Sequence, residues 1–276
     1  MRNSGFFEMM NLLYQYSKLS LKVTLEFKLD RSMITLAIFC REMIAVVVML
    51  LILARFLHIR GWDMNQLFFL YSFLFLSYSL FVFIFAGVRD FDQLVHSGEF
   101  DRYLTRPRGL LFQVIASKID LPATLGHGVV GLLLFMNTAF SVGIIWNASN
   151  ILFYISVIVG GAVIQASIFM LTAVMSFWAI RIENVRNLIF FNARRIAGYP
   201  ISFYPSLIQK MLIFIVPFSF VNYFPTQYFI RREDMELFWD GFMYMTPVVG
   251  VLMFVVVSLF WRIGVRSYSS SGNAMY

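Results

Sequence analysis

Long uncharged apolar runs, separated by short charged stretches, set the pattern of this chain. Leu67 to Val88, Leu121 to Trp146, Ile151 to Ile180 and Gly241 to Trp261 contain no Asp, Glu, Lys or Arg. About 20 apolar residues in a helix cross roughly 30 Å of hydrocarbon, so each run predicts a transmembrane helix. A further stretch, Ile196 to Ile230, is broken only by Lys210. As one helix it would reach about 52 Å, far beyond the hydrocarbon core. Pro200, Pro205, Pro217 and Pro225 interrupt it, so it predicts one span plus a broken or re-entrant segment. The first span is less clean, because Ser32 to Leu57 contains Arg41, Glu42 and Arg55. Starting it after Glu42 leaves only 15 residues before His58. Arg41 and Glu42 are therefore expected inside the membrane or at its edge.

The pattern predicts an all-α integral membrane protein with six transmembrane helices, at about 33–57, 67–88, 121–146, 151–180, 205–225 and 241–261. Two segments outside the hydrocarbon carry structure of their own. In the first 32 residues, Glu8, Asn11, Gln15, Lys18, Lys22 and Glu26 recur at steps of 3 or 4, along one helical face. With Phe6, Phe7, Met10, Leu13, Tyr14, Leu21 and Leu25 on the remaining surface, residues 1–32 predict an amphipathic helix lying in the headgroup region. The loop 89–118 interleaves Phe91, Phe100 and Tyr103 with charges of both signs. That composition is expected of a short helix docking on another protein.

Composition supports the membrane reading. Only 13% of the 276 residues are charged, against roughly 25% in soluble domains, while 60% are hydrophobic. With a mean hydropathy of +0.76, this excludes an ordinary soluble enzyme and a disordered chain. The net charge of +7 is unevenly placed. With the N-terminus inside, 17 of the 22 Lys and Arg residues fall on the inner side and three on the outer. The positive-inside rule then puts both termini in the cytoplasm. The basic excess faces anionic headgroups or a partner protein, and nucleic acid is not required to explain it.

Candidate chemistry is sparse. Cys40 is the only cysteine, and His58, His96 and His127 are scattered without a helical His-x-x-x-His pair, so no metal site is expected. The lysines are Lys18, Lys22, Lys28, Lys118 and Lys210, and none follows a glycine. A phosphate-cradling loop is therefore missing, and the chain is not expected to be an enzyme by itself. Arg41 and Glu42 must face protein or water, because an ionised group at the helix centre costs about 2.5–3.5 kcal/mol. Adjacent helical residues point about 100° apart, so the two are not expected to satisfy only each other; they are expected to snorkel or pair with other helices, or to serve a gate or subunit interface. His127, between Gly126 and Gly128, is expected to hydrogen-bond to a neighbouring helix or to act as a proton relay. Ala139 with Gly143, and Ala162 with Ala166, sit four apart and predict close helix packing.

Residues 98–107 (GEFDRYLTRP) resemble the cytoplasmic motif of six-span permeases in ATP-binding cassette (ABC) exporters of the type 2 class. Residues 199–204 (YPISFY) and 213–225 (IFIVPFSFVNYFP) resemble the tyrosine-proline stretch and broken fifth helix of the same family. The resemblance implies two separate ABC ATP-binding subunits, which would carry ATP and Mg, and a second permease that is either another copy or a sibling. It also implies a prokaryotic inner membrane, surrounding membrane lipids, and export of an amphipathic or hydrophobic cargo such as a lipid, drug, peptide or glycoconjugate. Gly98, Asp101, Arg102, Arg106 and Pro107 become the candidates for coupling to the ATPase, and Arg41 and Glu42 the intramembrane charge candidates. Two alternatives remain: an ion-coupled secondary transporter or channel using Arg41, Glu42 or His127, and a lipid enzyme built on Glu233, Asp234, Glu236 and Asp240.

Overall fold

The structure, a computed structural model, describes residues 15–16, 18–19, 22, 25–55, 61–179 and 182–268. Most of the amphipathic stretch expected at 6–27 lies outside the described residues. The remainder is all-α. In chain order the helices are α1 (Lys28–Arg55), α2 (Met64–Arg89), α3 (Phe91–His96), α4 (Asp101–Leu104), α5 (Leu110–Ala116) and α6 (Leu121–Thr138). They are followed by α7 (Ala148–Met175), α8 (Glu183–Arg186), α9 (Ala193–Ala197), α10 (Ser206–Lys210), α11 (Tyr223–Ile230) and α12 (Thr246–Ser267). Among the described residues α1, α2, α6, α7 and α12 are long and apolar enough to cross a membrane.

Polar residues start these helices where the apolar runs begin. Asp63 and Gln66 form a reciprocal capping box on α2, with the Asp63 carboxylate accepting from the Gln66 amide at 2.8 Å. Asp120 accepts from the Ala123 amide at 3.0 Å on α6, and Asn147 from the Asn150 amide at 2.8 Å on α7. Each cap gives an acceptor to an N–H that the helix leaves open, and that would be costly to leave unpaired near hydrocarbon.

The long helices pack in the spatial order α1, α6, α2, α7, α12, with α2 and α7 central. Leu36 and Ile44 of α1, and Val251 and Leu259 of α12, are exposed, as side chains facing lipid would be. Between α7 and α12 the backbones touch: a Cβ added at Gly250 would lie 2.8 Å from the Gly160 carbonyl oxygen. The close approach is thus made by Gly160 and Gly250. Of the pairs expected from the sequence, Ala162 and Ala166 are buried, whereas Gly143 has φ +74° in the turn after α6. That turn ends α6 at Thr138 and is closed by the Trp146 indole donating to the Ala139 carbonyl at 2.9 Å.

Two ends of the bundle can be defined by charge. Arg89, Asp90, Asp92, Lys118, Asp120 and Arg186 cluster at one, here the basic end. Asp63, Asn150 and Asp234 lie at the far end. Residues 182–204 run beside α2 from one to the other. Arg186 pairs with Asp92, the Phe190 ring packs on Phe81 and Phe169, Arg194 lies over Tyr78, and Ser202 donates to Asp234. Asp234 also accepts from the Trp62 indole at 3.0 Å, beside the start of α2.

The next segment turns back on itself. Ser206–Ile215 and Phe218–Ile230 are bent by 77° about Val216 and Pro217. At the bend, Phe218 packs on Phe190, and the Asn222 amide donates to the Ala197 carbonyl at 2.6 Å, well inside the bundle. Beyond it, α11 returns to the far end, where Gln227 reaches Asp234 and Tyr228 reaches Asn150, each at 2.9 Å. The stretch expected as a span at about 205–225 therefore lies in this bent hairpin, and 182–204 traverses the length of the bundle. Three arginines in or beside that traverse, Arg186, Arg194 and Arg195, hide it from a search for uncharged runs.

Candidate functional site

Residues 89–118 form a compact cap on the basic end. Its neck is an ion network: Arg89 donates to Asp90 at 2.7 Å and to Asp120 at 2.8 Å, and Lys118 reaches Asp90 at 2.6 Å. After α3 the chain reverses at Gly98, whose φ of +72° is the left-handed region that glycine enters without Cβ strain. Short backbone bonds then stitch the turn, including Asp101 N–H to the Gly98 carbonyl and Tyr103 N–H to the Phe100 carbonyl. The Gln113 amide of α5 donates to the Tyr103 and Arg108 carbonyls at 3.2 and 3.0 Å, which fixes the descending arm.

Two of the three interleaved aromatics, Phe91 and Phe100, pack within the chain itself, while Tyr103 is half-buried at the surface under Arg106. Phe91 and Phe100 are fully buried, packed edge-on at 5.1 Å, with Phe91 against Trp261 and Phe100 against Phe177 and Tyr268. They anchor the cap to α12 and to the end of α7. Burying them leaves the charged side outward: Arg102, Arg106, Pro107 and Arg108 are exposed. The structure thus brings Gly98, Asp101, Arg102, Arg106 and Pro107 into one turn-rich surface. Asp101 accepts from the Tyr268 hydroxyl at 3.0 Å, just after α12. Arg106 lies over the Tyr103 ring and donates to the Tyr16 hydroxyl at 3.5 Å, which places part of the N-terminal segment beside this surface.

The second cluster lies in the middle of the bundle. The Arg41 guanidinium folds back to Glu42 at 2.6 Å while the Arg41 side chain stays largely exposed, so the adjacent pair bond to each other although neighbouring helical positions diverge. The long arginine stem makes up the angular separation. Glu42 is buried, and its carboxylate lies 3.7 Å from His127 Nδ1. His127 is buried too, stacked near Phe75 and edge-on to Tyr78, and Nδ1 has no hydrogen-bond partner.

Beside this pair is a cavity of about 630 Å³, whose walls come from α1, α2 and residues 187–198. Sequence reasoning missed two of its charges. The positive-inside count places Arg194 and Arg195 on the inner side, because the uncharged run begins only at Ile196. Instead Arg194 sits 4.3 Å from the Tyr78 ring centroid and 5.5 Å from that of Phe75, halfway along α2. The helix leading to it, Asn187–Asn192, is π-helical, a form often found at functional sites. Lys210, counted on the same side, lies in the bent hairpin. The basic excess at the basic end survives removal of all three.

A family model described as ABC-2 family transporter protein matches residues 38–272. The chain belongs to the ABC-2 transporter family. No curated protein and no solved structure matches it. The family match spans the cap, the cavity and the bent hairpin alike. As an ABC-2 transporter the chain is a multi-pass membrane permease, the transport component that associates with ABC ATP-binding subunits and is not itself catalytic.

Proposed function

We propose that this permease forms half of the path of an ATP-driven exporter, assembled from two permeases and two separate ATP-binding subunits. The second permease is another copy of the chain or a sibling. ATP and Mg²⁺ belong to the motor subunits, in keeping with the lack of a Gly-Lys phosphate loop here. The observation that carries this reading is the surface of the cap, where Arg102, Arg106, Pro107 and Arg108 stand exposed on a framework held by buried Phe91 and Phe100. Such a surface suits an acidic motor face, since complementary charge fixes docking register. Tyr16, which meets Arg106 at 3.5 Å, adds the N-terminal segment to the same contact.

Two side-chain bonds link this surface to segments inside the membrane. Asp92 of α3 is bonded to Arg186 at the foot of 182–204, and Asp101 of α4 to Tyr268 after α12. Six crossings (α1, α2, α6, α7, 182–204 and α12) bring both Tyr16 and Tyr268, near the two ends of the described chain, to the basic side. By the positive-inside rule that side is cytoplasmic, and the family resemblance supports a prokaryotic inner membrane. The cargo is amphipathic or hydrophobic: a lipid, drug, peptide or glycoconjugate.

The test is gentle purification of the full chain from its native membrane, with identification of the proteins that accompany it. An ATP-binding subunit in equal number, and ATP hydrolysis by the complex, are expected. A lone oligomer that transports under a proton or sodium gradient overturns the reading in favour of an ion-coupled transporter or channel.

A further inference from the structure

The cavity between α1, α2 and residues 187–198 holds three arginines, Arg41, Arg194 and Arg195, against one carboxylate, Glu42. Glu42 is engaged by Arg41 at 2.6 Å. Arg194 pairs with no carboxylate among the described residues, and its buried Nε has no hydrogen-bond partner. Its contacts are the ring faces of Tyr78 and Phe75. An ionised side chain at this depth faces protein, water or a ligand, and marks a functional site by default.

We propose that this cavity binds the anionic head group of an amphipathic cargo, with Arg194 as its main contact and Arg195 at the rim. The inference rests on the exporter reading above. A guanidinium recognises planar and tetrahedral oxyanions through paired N–H donors, so a phosphate, sulfate or carboxylate head fits. Leu74, Phe75 and Phe191 line the same space and give the start of an apolar tail somewhere to lie. The π-helical turn adds the amides of Asn187 and Asn192 to the lining. At about 630 Å³ the cavity falls within the usual range for small-molecule clefts.

Binding is measured on the purified full chain in neutral detergent, without an ATPase, so failure here leaves the coupling reading untouched and the reverse also holds. The probes are dioctanoyl phosphatidic acid, dioctanoylglycerol with the same tails and no charge, and inorganic phosphate. Phosphatidic acid is expected to bind about tenfold or more tightly than either of the others. Arg194→Gln should remove about tenfold of that affinity, Arg194→Lys should retain part of it, and Arg262→Gln, outside the cavity, should change nothing. Arg195→Gln, at an exposed position, gives the same reading with a smaller loss should Arg194→Gln fail to fold. Equal binding of phosphatidic acid and dioctanoylglycerol overturns the anionic head. Phosphate binding as tightly as phosphatidic acid overturns the amphipathic cargo. Full affinity in folded Arg194→Gln, or in Arg195→Gln where Arg194→Gln does not fold, overturns the site.

Discussion

Arg186 and Asp92, 94 residues apart in the chain, meet at 2.7 Å with Asp92 almost fully buried. The second carboxylate oxygen of Asp92 has no partner, so the pair is the only charge compensation Asp92 receives among the described residues. It bolts the foot of the 182–204 traverse to α3 of the cap. Removing one member of such a pair leaves a buried charge, at a cost of about 3 kcal/mol. Arg186→Gln should therefore lower the thermal unfolding temperature clearly, and adding Asp92→Asn should recover much of it. If the double variant is as unstable as the single, the pair is not what holds the two segments together. In the recovered double variant, transport-linked ATP hydrolysis should still fall, because the charge link between cap and traverse is gone.

The exposed arginines of the cap give a different signature. Arg102→Gln with Arg106→Gln should leave unfolding within about 0.5 kcal/mol per site, since surface changes seldom do more. ATP hydrolysis stimulated by the permease should fall several-fold in the reconstituted complex. Full stimulation in the double variant would remove these residues from the coupling surface.

Gly98 separates conformational need from contact. Nothing lies within 4 Å of the position a Cβ would take, so Gly98→Ala meets no clash, only the strain of φ +72°. That strain is worth about 1–2 kcal/mol. Gly98→Asn should lose less, because asparagine enters this region more readily. Equal unfolding temperatures for glycine, asparagine and alanine would show that the turn adopts another backbone in solution.

Where the apolar pattern was uniform, it could be read directly from the chain: α2, α6, α7 and α12 each correspond to an uncharged run, and hydrocarbon leaves a helix no other choice. The cap motif at 98–107 was also legible, as a place. Its energetics were not, because composition cannot tell an aromatic that docks on a partner from one that docks on its own α12, as Phe91 does through Trp261. The traverse 182–204 was hidden for a physical reason. Arg194 lies at mid-height over the rings of Tyr78 and Phe75 and beside a polar cavity, and that setting is a tertiary fact. The same holds for the Gly160–Gly250 crossing, since neither glycine announces its partner.

That crossing makes a stability prediction. A methyl group at Gly250 would lie 2.8 Å from a backbone oxygen, which cannot rotate aside as a side chain could. Gly250→Ala should push α12 from α7 and cost about 1–3 kcal/mol, the usual range for overpacking. Unfolding of the purified chain in detergent measures it. An unchanged midpoint would mean that α12 slides freely along α7.

Glu42 tests whether the charges at mid-bundle serve transport or only folding. Its carboxylate is buried, satisfies Arg41 at 2.6 Å and lies 3.7 Å from His127. Glu42→Gln keeps the volume and a carbonyl acceptor for Arg41 but removes the negative charge. The cavity then gains positive charge from Arg41, Arg194 and Arg195 with no carboxylate opposing it. A site that must release its cargo needs binding weak enough to leave, so the variant should assemble normally, hold an anionic amphipath more tightly and turn over more slowly. Lower transport rate with normal assembly is the expected measurement. Unchanged transport with normal assembly would leave Glu42 as the structural partner of Arg41 and nothing more.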